Sequence, residues 1–232
     1  MQRYMLIITE VAPYVDGPAG VHGVLEQATT ALRELSSLVD CEARVVTDVR
    51  PLSPEDLSNA DVVSLFTIGE TPFSPHQRQA LTRSWGEGRT KLLGIHSSTD
   101  ACYGWDEYGG LLGARFNGHP WTQSFEIEVV DWDHPATRYL SSPWPWHDEI
   151  YRFRSLVPDA RILLRVAPGQ LTLDGMPQGT SSDPLPLAWC RSVGPAKTFY
   201  SALGHFPSAW ETPAYLRYLL GALEWLLGIS GD

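Results

Sequence analysis

Three of the seven histidines stand in settings where an imidazole could do chemistry. His96 closes the apolar run Leu92-Leu93-Gly94-Ile95 and is followed by Ser97, Ser98, Thr99 and Asp100. That pattern reads as a buried strand running into a tight turn and then a helix, a junction that often carries a nucleophile in α/β proteins. Histidine there suits proton transfer or metal binding, because imidazole changes charge close to neutral pH; the alternative is a ring that only ties the turn together. Asp100 could orient that ring by fixing its tautomer, or cap the following helix. His119 in "NGHPW" and His205 in "LGHFP" each follow a glycine. Glu149, in "HDEIYRF", precedes Tyr151 and Phe153. A carboxylate beside aromatic bulk is expected to have its proton affinity raised, which suits a base that removes a proton next to a carbonyl; pairing with Arg152 or Arg154 is the competing reading. Asp148 beside it is expected to be a cap or a surface charge.

Other groups are less well placed. Trp105 and Tyr108 lie three apart on an expected helix and would share a face. Trp189 and Arg191 lie two apart on an expected strand, so both would point the same way and could supply a ring and a donor. Trp121 and Trp210 are further aromatic candidates, although core packing is the commoner use of such rings. Ser97 and Ser98 lack the GxSxG frame of a serine nucleophile. Cys41, Cys102 and Cys190 are odd in number and include no CxxC pair, which argues against a disulfide framework and for a reducing cytoplasm. A divalent metal on His96, His119 and His205 is an alternative without local support, since no HxH or HExxH spacing occurs.

The elements that must position these residues follow from the apolar pattern. "YMLIIT" (4–9), "CEARVVTD" (41–48), "DVVSLFTI" (61–68) and "TKLLGI" (90–95) read as strands. Between them, 21–37 and 74–88 read as helices, and 51–60 contains a short helical turn. Alternating strands and helices imply a mainly parallel sheet with helices on both faces. Ligands then sit at the carboxyl ends of the strands, which puts the loop after the first strand, His22 and His96 on one rim. The second half reads as added strands at 122–131, 147–153, 161–166, 186–193 and 196–203, the last two forming a hairpin, before a closing helix over 213–228. "WPWH" (144–147) reads as a lid or packed loop.

The chain of 232 residues is 43% hydrophobic, enough for one domain over 1–232 with a sizeable core. Its net charge of −10 disfavours nucleic acid and anionic membrane surfaces as partners. No apolar run has membrane-spanning length, and the N-terminus lacks the pattern of a signal peptide.

Seven motifs occur in one order: "GIHSSTD", "WDEYGGLLGARF", "GHP", "DHPAT", "DEIYRF", "PLAWCRSVG" and "FYSALGHFPSAW". Together they resemble the ThuA-like, trehalose-utilisation family, from about residue 60 to 228 and more loosely at the first strand and His22. The sequence departs from the family at "SWGEGRTKLLGIH", where a more glycine-rich run is usual. The resemblance implies a three-layer, flavodoxin-like fold of the class I glutamine amidotransferase type. In that fold a nucleophilic cysteine occupies the elbow that here carries His96, so cysteine-dependent glutaminase chemistry is not expected. It also implies a link to the use of trehalose and of disaccharides oxidised at carbon 3. The expected function is acid–base chemistry on a keto-sugar or disaccharide at the rim, with His96 and Glu149 as the proton-transfer pair and Asp100 as their orienting group. His22, Trp105, Tyr108, His119, Tyr151, Trp189, Arg191, His205 and Trp210 would bind the small carbohydrate. A non-catalytic sugar-binding or regulatory module and a metal-dependent hydrolase are the alternatives. No cofactor is expected apart from the divalent metal named above. A homodimer is compatible with the sequence, which shows no specific interface.

Overall fold

The computed structural model describes residues 2–11, 23–169, 171 and 185–229. His22 therefore lies outside the described residues. The first half alternates as expected: β1 (Arg3–Ile8), α1 (Leu25–Leu38), β2 (Cys41–Val46), α2 (Pro54–Asn59), β3 (Val62–Leu65), α3 (Pro75–Gly86) and β4 (Lys91–Ile95). β1 shows why a sheet covered on both faces results. Met5 and Ile7 join one apolar cluster, with Ala28, Leu32 and Leu35 of α1, while Leu6 and Ile8 join another, with Leu57 of α2 and Leu81 of α3. Successive strand residues point to opposite faces, so an all-apolar strand needs a layer on each side. The helix starts are written locally. Ser53 with Asp56 and Ser74 with Gln77 form reciprocal capping boxes, each with proline in the first turn, and each cap contributes about 1 kcal/mol.

The second half comprises α4 (Tyr108–Leu112), β5 (Arg115–Phe116), β6 (Trp121–Val129), β7 (Trp144–Ile150), β8 (Phe153–Arg154), β9 (Arg161–Val166), β10 (Pro186–Val193), β11 (Ala196–Ser201), α5 (Pro207–Glu211) and α6 (Pro213–Leu227). The main sheet runs β2-β1-β3-β4-β11-β10-β9-β6-β7, and β5 pairs separately with β8. β2, β1, β3, β4 and β11 are parallel, and the remaining pairings are antiparallel, including the expected β10–β11 hairpin. The fold is thus α/β of the class I glutamine amidotransferase type, with added antiparallel strands.

Two expectations are corrected. Residues 144–147, read as a lid or loop, form the start of β7, and that strand ends at Ile150 rather than 153; Trp144 and Trp146 point into the core while Pro145 and His147 alternate outward. The elbow is followed by a short 3-10 turn over His96–Asp100, and the next helix begins only at Tyr108.

The curvature of the sheet matters for the site. β7 lies five places from β4, which is about 24 Å in a flat sheet at about 4.8 Å per strand. Glu149 of β7 nevertheless comes within 3.4 Å of His96. The second half of the sheet therefore coils back over the end of β4, and Trp146 of β7 packs 5.5 Å from Tyr215 of α6.

Candidate functional site

The elbow is built around His96. Its backbone has φ 46°, in the left-handed region that costs a non-glycine residue about 1–2 kcal/mol. Three bonds hold it there. The Tyr200 hydroxyl donates to the His96 carbonyl at 2.7 Å. The ring Nδ1 lies 2.8 Å from the Ala202 carbonyl, which can only accept, so Nδ1 carries the ring proton. Nε2 then presents a lone pair, and Tyr151 Oη donates to it at 2.8 Å. Below the turn, a Cβ on Gly94 would lie 2.9 Å from Tyr200 and 3.0 Å from Ser98 Oγ, so only glycine allows this close approach.

β4 and β11 are parallel neighbours, Ser201 opposite Ile95, so their following segments emerge side by side. That brings His205 to His96, with Nδ1 3.2 Å from Nε2. The curled β7 supplies Glu149, whose Oε2 lies 3.4 Å from His96 Nε2 and 3.7 Å from His205 Nδ1. The other oxygen, Oε1, lies 3.5 Å from His119 Nδ1. One carboxylate thus meets three imidazoles. Side-chain exposure rises through the cluster, from 0% at His96 and 10% at Glu149 to 18% at His205 and 43% at His119.

Asp148, expected at the surface, is fully buried behind this cluster. Its Oδ1 accepts from the Glu149 backbone N–H at 2.9 Å; its Oδ2 accepts from the Gly204 N–H at 2.9 Å and from Trp146 Nε1 at 3.1 Å. Gly204 has φ 117°, and a Cβ there would lie 2.6 Å from the Tyr215 hydroxyl. Asp148 therefore ties the residue bearing the carboxylate to the one preceding His205. Sequence reasoning missed this role, and the acidic pair "DE" was its only signal.

The expectation that Glu149 has a raised proton affinity is also corrected. Burial does push its carboxyl up, but the imidazoles of His96, His205 and His119 around it together hold it below the usual carboxylate value. Burial pushes the His205 imidazole down, as does His96, against the pull of Glu149 and Asp148. Burial, reinforced by Glu149 and by Tyr200, lifts the Tyr151 phenol well above its usual value, so Tyr151 stays a donor.

Other expected residues lie elsewhere. Asp100 accepts a short hydrogen bond from the Tyr103 hydroxyl, and the Ala202 carbonyl, not Asp100, fixes the His96 tautomer. Trp105 and Tyr108 are buried against each other in the cluster under α3, with Phe73; Trp105 precedes α4 rather than sharing a helix face. Trp189 is fully buried, stacked on Tyr200 with centroids 4.3 Å apart and donating to the Leu112 carbonyl. Arg191 is committed to Asp159 and the Gly110 carbonyl and lies over Trp85. Trp121 is buried in the main core. Trp210 sits one layer behind the cluster, donating to the Gly204 carbonyl and stacked on Phe66, which meets the edge of His96. Of the three histidines named for a metal, His96 and His205 come together with Glu149, and His119 faces the far oxygen of Glu149. A cavity of about 670 Å³ is an open groove lined by His76, Arg78, Gln79 and Trp105; the convergence of titratable groups, not cavity size, marks the site.

The family model for ThuA, trehalose utilisation, matches residues 14–226. A search of the curated proteins finds no significant match. Among solved structures, a ThuA-like protein from Bacteroides uniformis is similar at TM-score 0.73 and 20% identity, over 97% of this chain and 91% of that one. A ThuA-like protein from Parabacteroides merdae is similar at TM-score 0.77 and 16% identity, over 100% and 93%. A GMP synthase protein from Thermoplasma acidophilum is similar at TM-score 0.51 and 13% identity, over 97% and 94%. At these identities the likeness concerns the fold.

Proposed function

Because the chain belongs to the ThuA, or trehalose-utilisation, family, we propose that it carries out proton transfer on a small carbohydrate, a keto-sugar or disaccharide derivative, at the His96–Glu149–His119–His205 cluster. The observation that carries the reading is one carboxyl group flanked by three imidazoles at the carboxyl ends of β4 and β11, the rim where α/β sheets bind ligands. Burial of all three cysteines, and histidine at the elbow itself, support a chemistry other than thiolate attack.

The roles follow from exposure. His96 is fully buried and acts from behind, its lone pair facing Glu149. His119 is the most exposed member, so it gives or takes the proton at the substrate, with Glu149 Oε1 orienting its ring as a carboxylate orients a catalytic imidazole. For a keto-sugar, the proton leaves the carbon next to the carbonyl for His119, and the bonding pair moves towards the carbonyl oxygen. His205 is the donor for that oxygen, while Tyr151, kept as the phenol, holds the His96 ring through its hydroxyl.

The test is proton NMR of the pure protein with 3-keto-trehalose in heavy water. Time-dependent deuterium uptake or bond cleavage is expected, falling by about a hundredfold or more in His119→Ala and in Glu149→Gln. A spectrum unchanged with the parent protein, or full rates in both variants, overturns the proposal.

A further inference from the structure

The three innermost atoms of the cluster converge on one another in a way that a proton-transfer role does not require. His96 Nδ1 gives its proton to the Ala202 carbonyl, so Nε2 presents a lone pair. Glu149 Oε2, a carboxyl oxygen, presents lone pairs to the same spot. These two atoms stand 3.4 Å apart. His205 Nδ1 closes the triangle at 3.2 Å and 3.7 Å. Two imidazole nitrogens and a carboxyl oxygen converging in this way offer a cation a ready ligand set.

The triangle has the dimensions of a metal face. A tetrahedral zinc-type ion binds nitrogen and oxygen at about 2.0–2.1 Å, which sets its ligands about 3.4 Å apart. The three separations here bracket that value. A ring nitrogen whose partner nitrogen donates to a backbone carbonyl is the usual arrangement for a metal-binding histidine, and His96 has it. Asp148 adds a second buried carboxylate, bonded to the backbone of Glu149 and of Gly204, so two of the three ligand-bearing segments are fixed by one anion.

We infer that His96 Nε2, Glu149 Oε2 and His205 Nδ1 form a three-ligand site for one divalent cation of the zinc class. The cation takes the place of the Tyr151 proton at Nε2, and the freed hydroxyl donates to whatever oxygen binds the cation's remaining position. That position lies on the side where exposure increases towards His119. Two histidines and one glutamate with an open fourth position form a catalytic rather than a structural zinc set. Sharing the site of the proposed sugar chemistry, the inference rests on that reading only for the identity of the incoming oxygen.

The experiment uses tag-free full-length protein stripped with chelator and titrated with zinc and, separately, with cobalt(II). Expected are one zinc ion per chain by elemental analysis after dialysis, and the intense visible absorption of tetrahedral cobalt. Glu149→Gln and His205→Ala should each weaken affinity about a hundredfold. His119→Ala should change it less than about tenfold, because its ring faces the other oxygen, and the exposed His147→Ala not at all. Circular dichroism of every variant separates ligand loss from misfolding; should one ligand variant misfold, the other still decides. Failure to bind either ion at one per chain, or equal affinity in a folded ligand variant, overturns the inference. A larger loss in His119→Ala than in Glu149→Gln overturns this ligand set. Zinc binding without turnover of the keto-sugar sinks the proposed function alone; turnover by the stripped protein at the full rate sinks the catalytic role of the cation alone.

Discussion

Replacing Asp148 by asparagine keeps its shape and removes its charge, and the consequence can be worked from three hydrogen bonds. The carboxylate is fully buried and accepts at both oxygens, from Glu149 N–H on one and from Gly204 N–H and Trp146 Nε1 on the other. Asparagine has one acceptor oxygen. Turned to serve Gly204 and Trp146, its amide hydrogens confront the Glu149 N–H, which is left without an acceptor. A lost hydrogen bond to a charged group with a buried orphan donor costs about 2–3 kcal/mol. For a chain of 232 residues, about 2–4 °C per kcal/mol corresponds to a fall in melting temperature of roughly 4–12 °C. Asp148→Ala orphans all three donors and should cost about 3–5 kcal/mol. Urea unfolding followed by circular dichroism, with an unchanged slope, measures both. An asparagine variant within 1 °C of the parent, with an alanine variant costing under about 1 kcal/mol, would refute the idea that this carboxylate joins β7 to the segment after β11.

Gly94→Ala should destabilise by about 1–3 kcal/mol, since its Cβ would meet Tyr200, Ser98 and Leu112 within 3.1 Å; a urea midpoint equal to the parent's would show that the elbow can yield. His134 accepts from the Ala136 N–H and is buried beside Phe199 and Trp225, and burial, with the Arg161 charge, pushes its pKa down to about 4. The unfolded chain binds that proton near pH 6.5, so stability present above pH 6.5 is lost as pH falls towards 4, by up to about 3 kcal/mol; His134→Gln should flatten that part of the pH profile, and an unaltered slope would assign the loss elsewhere. Burial lifts the thiols of Cys41, Cys102 and Cys190 to about 11, so iodoacetamide at neutral pH should leave the native chain unmodified by mass spectrometry and label all three only after unfolding. Rapid native labelling of Cys102 would mean that the segment after the elbow opens.

The elements of the first half were legible because their signals are local. Apolar strands, the capping boxes at Ser53 and Ser74, and Gly228 closing α6 at φ 68° each act within a few residues. β9 and β10 also match their expected bounds, since strand and turn residues alternate clearly there. β7 was harder: its alternation lies in tryptophans and prolines, which a sequence pattern assigns to loops.

The motif order by itself determined the family and the fold class, and the elbow position singled out His96. Which side chains meet was decided only by tertiary structure, because the partners lie 30 to 109 residues apart in the chain and are joined by the parallel pairing of β4 with β11 and by the coiling of β7 over them. Trp105, Tyr108, Trp189 and Arg191 have side chains suited to a sugar site, yet apolar burial and backbone carbonyls claim them. Asp148 shows the converse: a surface-looking charge becomes the buried acceptor of the site because three donors converge on it once the sheet has curled.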